Sequence, residues 1–362
     1  MKPRDIARTR LRAQHLSSPM PGRPADIVRH LGAVQSQDYP NAKWAIAQRL
    51  TNCTDADVEE AFARGDILRT HVLRPTWHFV ARDDIRWMLA LTAPSVHQAM
   101  ASRHRMLEID AKLAERSHVL LAKSLEGGHH LTRAELVAAL RRPRLVRDTD
   151  DPQRAVHLIT RAELDAVIIS GAPRGKQQTY TLFDERVPLS KPLARDEALA
   201  ELALRYFASH GPATLQDFRW WSGLKISDAR AALEMVQGEL AEEVVDGKTY
   251  WLAEQLKRTR PVSVVQLLPN FDEYVVGYTD RSAIFDPAHA ASLGARENPL
   301  FQHNIIADGQ IIGTWRRSTV RGTNVVSVQT FIALSAAQRR DLATAIKNYA
   351  KYLGESVTLR ED

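Results

Sequence analysis

The chain has 362 residues, 44% of them hydrophobic and 25% charged, with a formal net charge of +6. It is long enough for roughly two to four packed domains, and its arginine-rich excess of positive charge favours a polyanionic partner. No run approaches the roughly 18 consecutive apolar residues of a membrane span, the charged opening MKPRDIARTRLRAQHL lacks the apolar core of a secretory signal, and the lone Cys53 excludes intrachain disulfides and multi-cysteine metal sites, so a cytoplasmic protein is expected.

In chain order, DIVRHLGAVQ opens as a helix whose stripe Ile27, Val28, Leu31 and Val34 carries Gln35 on its apolar side. Pro40 disfavours helical geometry at Tyr39. The helix is therefore expected to end near Gln35 and the chain to extend through Gln37. Residues two apart in an extended segment share a face, so both carboxamides would point into one cleft. A helix, DADVEEAFARG, and the paired strands of DILRTHVLRPTWHFV follow.

The second stretch, HLTRAELVAALRR, starts at the capping box of Thr132 and Glu135. RAVHLITRAELDA continues as a helix, and VIISG and QTYTLF form strands around APRGK. The third has the helix EALAELALRYFASHG ending at Gly211, a second beginning at Thr214, a third in ISDARAALEMVQGEL, and a hairpin turning at Asp246-Gly247. Helix, helix, helix, hairpin is the order of a winged helix, and its threefold recurrence on a basic chain points to nucleic acid. Beyond Pro261 the short apolar pieces VSVVQLLPNFDEYVVGY, NIIADGQIIGTW and NVVSVQTFIAL, with turns at Asp308-Gly309 and Gly322, read as a β-rich module closed by the helix SAAQRRDLATAIKNYAKYL. The expected fold class is α+β: three tandem winged helices over residues 1–82, 83–190 and 191–260, then a C-terminal module over 261–362. No long linker separates them, so packed domains are expected.

A carboxamide offers two donors and two acceptor lone pairs and does not titrate. Two of them can orient a water, or the rim of a base, but cannot act as a strong base. They suit a reaction whose leaving group is already activated. Packing against helix-end carbonyls is the competing account of the pair. No GxGxxG, GxxxxGK[ST], Gly-x-Ser-x-Gly or metal-ligand triad occurs.

The order and spacing of VQSQDYPNAKWA, HVLRPTWHFV, LLPNFDEYVVGYTDR and IIGTWRR resemble the winged-helix DNA glycosylases of the AlkZ type, which unhook interstrand crosslinks. The resemblance runs along essentially the whole chain. It implies that Gln35 and Gln37, the Gln-x-Gln pair, are catalytic. A related branch has Asp at the second position, and Gln37 sets this chain with the AlkZ-like branch. The middle residue, usually aliphatic in the family, is Ser36 here. The implied activity is a monofunctional DNA glycosylase that hydrolyses the N-glycosidic bond of N7-alkylated purines, crosslinked ones included, without cofactor or metal. The alternative is a non-catalytic winged-helix DNA-binding protein or regulator. A monomer in the nucleoid, on double-stranded DNA, is expected, since no dimerisation helix is evident.

Asp38 stands either in the cleft, supporting a sugar cation, or at the cap of the next helix. Trp77 and His78 are candidates to line the cleft, with Trp77 alternatively in the core. Lys43 and Arg74 are read as phosphate contacts, and Trp44 as core. Arg174 and Lys176, around Gly175 in the second hairpin turn, would meet DNA or stay solvated. Arg281, Arg316 and Arg317, at strand ends of the last module, would meet phosphate or form ion pairs with Asp272, Glu273 or Asp280. The basic run 141–148 is read as a loop near phosphate or in solvent.

Overall fold

A computed structural model describes residues 2–147, 149–258, 264–293 and 298–361. Asp148, the end of the basic run, and the boundary expected at 260/261 lie outside the described residues. Helix α1 (Pro3–Ala13) precedes α2 (Pro24–Leu31), the two-residue strand β1 (Val34–Gln35), α3 (Tyr39–Ala47), α4 (Asp55–Arg64) and the hairpin of β2 (Ile67–His71) and β3 (Trp77–Ala81). Strand β1 adds to that hairpin, giving the sheet order β1-β3-β2.

The second stretch comprises α5 (Ile85–Met106), α6 (Ala111–Leu125), β4 (Leu131–Thr132), α7 (Arg133–Arg141), α8 (Pro152–Leu164), β5 (Ile168–Ser170), β6 (Thr179–Leu182) and α9 (Phe183–Arg186). Thr132 caps α7 and Glu135 returns to its backbone N–H, the capping box read from the sequence. The third has α10 (Arg195–His210), α11 (Leu215–Ser222), α12 (Ile226–Val236) and the hairpin β7 (Leu240–Val245) and β8 (Lys248–Ala253). Asp246 and Gly247 turn that hairpin with φ of 49° and 74°, the paired positive values of a type I′ turn.

The remainder holds β9 (Val265–Leu268), α13 (Glu273–Val276), β10 (Asn304–Ala307), β11 (Gln310–Val320), β12 (Thr323–Thr330), α14 (Ala336–Leu353) and β13 (Val357–Glu361). Its five strands pair in the order β13-β12-β11-β10-β9. The result is a mixed α/β chain. One expectation is corrected here: DEYVV is a short helix rather than strand, because Asp272 caps it by accepting from the Tyr274 N–H at 2.9 Å.

The parts do not fold as separate beads. One core joins Val28, Leu31, Phe62 and Phe79 of the first stretch to Leu267, Ile305, Trp315 and Tyr349 of the C-terminal sheet and α14. A second joins Leu68 and Val72 of the first hairpin to Tyr206, Phe207 and Trp221 of α10 and α11. Each such fully buried large side chain contributes about 1.5–3 kcal/mol. The first hairpin is therefore clamped between the third stretch and the C-terminal sheet.

Candidate active site

Helix α2 stops earlier than the apolar stripe predicts. Its last residue is Leu31, and Gly32 follows at φ 80°. A side chain there would strain in that conformation and press within 3.1 Å of the Trp221 ring. The chain then extends as β1, antiparallel to β3, with Val34 opposite Phe79 and Gln35 opposite His78. So Gln35 owes its place to strand pairing and not to a helical stripe. Pro40 is likewise reinterpreted: it lies at the second position of α3, where its missing N–H costs nothing.

Gln35 is only 7% exposed, and its backbone N–H donates to Glu273 Oε1 at 2.7 Å. Its side-chain Oε1 accepts from Arg74 Nη2 at 3.1 Å. That donor fixes which end of the carboxamide is oxygen. It leaves one lone pair on Oε1 and the NH₂ group without a bond among the described residues. Two residues on, Gln37 is exposed, and its Oε1 lies 3.5 Å from the Trp77 backbone N–H. Between them Ser36 is fully buried: its N–H donates to Trp77 O at 2.7 Å and its carbonyl accepts from Arg69 Nε and Nη2 at 3.2 and 2.9 Å. The two glutamines are thus presented by a segment held at the Gln35 N–H, the Ser36 N–H and the Ser36 carbonyl, one amide buried and one open.

Arg74 reaches Gln35 from the loop between β2 and β3. Leu73 before it adopts φ 63°, a left-handed value that costs a leucine, and Pro75 follows. Two tight backbone bonds, Arg74 N–H to Val72 O at 2.6 Å and Thr76 N–H to Arg74 O at 2.7 Å, hold the loop. Burial lowers the pKa of the Arg74 guanidinium, while Glu273 opposes that. Its Cζ sits 5.7 Å from the ring centroid of Trp220, an indole 41% exposed at the end of α11, and Arg281 approaches the same ring at 6.0 Å. Arg74, which bonds Gln35, thus shares an open aromatic face with Arg281, within cation–π range.

Behind them lies a fully buried carboxylate. Glu273 accepts from the Gln35 N–H and from Trp221 Nε1 at 3.0 Å, and His210 Nε2 is 3.5 Å away. Burial alone would raise this carboxyl, yet His210 and the Gln35 N–H hold it below the ordinary carboxylate range. His78 is also fully buried. Its Nδ1 donates to Thr76 O at 2.9 Å, its Nε2 has no partner among the described residues, and burial with the Arg74 charge pushes it down to about 3. At neutral pH it is an uncharged ring with a free lone pair, opposite Gln35 on the sheet.

The remaining candidates divide. Trp77 is half-buried beside Gln37, with Arg69 Cζ 4.4 Å from its ring centroid. Asp38 caps α3, accepting from the Asn41 N–H at 3.5 Å, and also takes Asn41 Nδ2 at 2.9 Å and Asn270 Nδ2 at 3.2 Å, so its carboxylate is engaged in local structure. Lys43, beside the motif, reads as a phosphate contact, and its placement argues against that. It is 7% exposed and its ammonium lies 2.8 Å from both Asp55 and Glu59, which neutralise it. Trp44 is core, as expected, donating to Leu267 O.

Arg174 and Lys176 are exposed on the second hairpin turn, Arg174 bonded to Glu135 at 2.8 Å. Arg281 donates Nε to Val275 O at 2.9 Å, while Asp272 bonds Arg49 and Asp280 bonds Lys248. Arg316 and Arg317 are exposed on β11 and line a groove of about 430 Å³ with His303 and Tyr349; Arg317 Nε also donates to Asn324 Oδ1 at 3.1 Å.

Sequence reasoning did not find Glu273, His210, Trp220, Trp221 or Arg69 as site residues. The signals were present in FDEY and in the adjacent tryptophans of FRWWSG. Nothing local says that Glu273, 238 positions away, would hold the Gln35 backbone. Chemically, the site offers fixed neutral hydrogen-bonding groups, cationic side chains and an aromatic face. Its buried carboxylate, Glu273, already accepts from the Gln35 backbone and the Trp221 indole.

A family model described as DNA glycosylase AlkZ-like matches residues 28–352 of the chain. An interstrand DNA cross-link repair glycosylase from Streptomyces sahachiroi is 24% identical over 325 residues, covering 86% of this chain and 87% of that one. The solved structure of Streptomyces sahachiroi DNA glycosylase AlkZ superposes at a TM-score of 0.84 with 23% identity, over 100% of both chains.

Proposed function

The chain belongs to the AlkZ-like DNA glycosylase family, and from that premise we propose that it hydrolyses the N-glycosidic bond of N7-alkylated purines in double-stranded DNA, those held in interstrand crosslinks included. The carrying observation is the Gln35 carboxamide, fixed by Arg74 two residues before the open amide of Gln37.

Alkylation at N7 makes the purine cationic, so its bond to the sugar breaks with little help. In the reaction the C1′–N9 bond cleaves and its electron pair returns to the purine, which departs as a neutral N7-alkyl base. A water oxygen bonds to C1′ and releases its proton to solvent. The enzyme has to place that water and accommodate the sugar cation. Gln35 accepts a water hydrogen on its free lone pair or donates from its NH₂, and Gln37 completes the grip. A neutral base leaves poorly and would need stronger acid–base assistance, which amides do not provide.

The fold reading that accompanies this activity is three winged helices, α2-α3-α4 with β2-β3, α6-α7-α8 with β5-β6, and α10-α11-α12 with β7-β8, ahead of a C-terminal β-rich module. Arg174 and Lys176 on the second hairpin, with Arg281, Arg316 and Arg317, would grip phosphates on a monomer that wraps the duplex. An open cleft between hairpins admits a base tethered to the opposite strand, where a snug flipping pocket would not. No described helix is long and apolar enough to cross a membrane, and the work is assigned to chromosomal DNA in the nucleoid.

The test is incubation of purified protein with duplex DNA carrying one N7-methylguanine. Strand breaks at that guanine should appear only after alkali, since a monofunctional enzyme leaves an intact abasic strand. Bound but uncleaved DNA would favour the non-catalytic reading.

A further inference from the structure

On the Gln37 side of the turn lies a cleft of about 410 Å³ between the first and second hairpins, in the range of about 300–1,000 Å³ usual for small-ligand sites. Its walls include Arg69 and Trp77 from β2 and β3, Thr132 and Arg133 at the start of α7, and Gln178 and Tyr180 from the second hairpin. We propose that this cleft is a single-nucleotide site, taking a neutral base and its phosphate when the pairing partner of the lesion is displaced from the duplex. The proposal rests on the glycosylase reading for its place in the reaction, and on the cleft's own chemistry for its ligand.

Three observations carry it. First, the cleft and the catalytic turn share parts. Arg69 donates twice to the carbonyl of Ser36, and the Trp77 N–H faces Gln37 Oε1 at 3.5 Å. Whatever occupies the cleft lies beside the Gln-x-Gln turn. Second, the wall is π-rich: the Arg69 guanidinium lies over the Trp77 indole at 4.4 Å, the His71 ring packs on the same indole at 4.1 Å, and Arg69 also faces the Tyr39 ring behind the lining at 5.6 Å. Planar guanidinium and aromatic surfaces are what unpaired bases stack on. Gln177 and Gln178 bring carboxamides, which pair donors and acceptors with base edges.

Third, the charge has one sign. The lining contains Arg69 and Arg133 and no carboxylate. That suits the phosphate of a displaced nucleotide. Holding the partner also keeps the duplex open while water reaches C1′.

The probe is an unmodified duplex with one unpaired nucleotide, compared with the fully paired duplex by equilibrium anisotropy. Stacking and base-edge contacts predict that wild type prefers the bulged duplex by roughly tenfold or more. Ala134→Trp fills the cleft from the exposed face of α7, and should bring the ratio of the two affinities close to one. Gln178→Ala should lower it partway, and circular dichroism checks that both variants fold. Equal affinities in wild type, or a ratio unchanged in both variants, would overturn the proposal. A bulge preference in a protein that leaves N7-methylguanine intact would strike the glycosylase chemistry and keep the nucleotide site. Excision without any bulge preference would do the reverse.

Discussion

Gln35→Ala should slow single-turnover excision of N7-methylguanine by about 100-fold or more, the cost of removing one preorganised polar group from a reaction site. The expectation comes from how much structure is spent on this amide. Its backbone is tied to a buried carboxylate and its Oε1 to a guanidinium from a loop held in a left-handed turn. An amide fixed before substrate arrives need not reorganise when charge develops on the sugar. Gln37 is less constrained, with one contact at 3.5 Å, so Gln37→Ala should cost less, about tenfold. Affinity for undamaged DNA should stay within about twofold for both, because phosphate contacts dominate binding. An excision rate for Gln35→Ala within threefold of wild type, an expected-effect threshold far below the range above, would count against the assignment.

The second large effect concerns the frame. Asp272→Ala should cost about 3–5 kcal/mol of stability, because it strands a buried charge. Arg49 and Asp272 are both fully buried and meet through two bonds, 2.7 Å to Oδ1 and 2.9 Å to Oδ2. Arg49 also donates to Ala45 O at 2.6 Å and to Gln14 Oε1 at 2.8 Å. Asp272 in turn caps α13, the helix that begins with Glu273. Losing it uncouples α3 from α13 and loosens the carboxylate behind Gln35. Urea unfolding measures the loss. Replacing both partners, as Arg49→Met with Asp272→Leu, should recover much of it, since paired apolar substitutes avoid the unmatched charge. A single-variant loss below about 1 kcal/mol would mean that water or another group already satisfies Arg49.

Much of this was legible in the sequence where the signal was local. The capping box at Thr132 and Glu135, the helix start at Thr214 and the Asp246-Gly247 turn each use residues within a few positions of one another, and each formed as read. The 3.6-residue stripe reads as a helix through to Gln35, but the positive φ of Gly32 ends it. FDEYVVGY reads as strand because a short apolar run does not distinguish strand from helix, and the Asp272 cap decides for helix. Helix α5, with Pro94 in its interior, and strand β13 after α14 were not predicted at all. At the site, the glutamines were legible as a motif but their orientation was not. Arg74 and Glu273 converge on Gln35 from separated parts of the chain, with Trp220 beside Arg74, and such convergence is a property of packing. Lys43 shows the opposite error: a basic residue next to the motif, neutralised by two acids 12 and 16 positions on.

The central claim is that two uncharged amides suffice because the departing purine is already cationic. Its most direct measurement is single-turnover excision from N7-methylguanine duplex by Gln35→Ala/Gln37→Ala, at protein concentrations that saturate the DNA. The rate should fall to that of spontaneous depurination while the complex remains fully formed. Excision at the wild-type rate by that double variant would contradict the account.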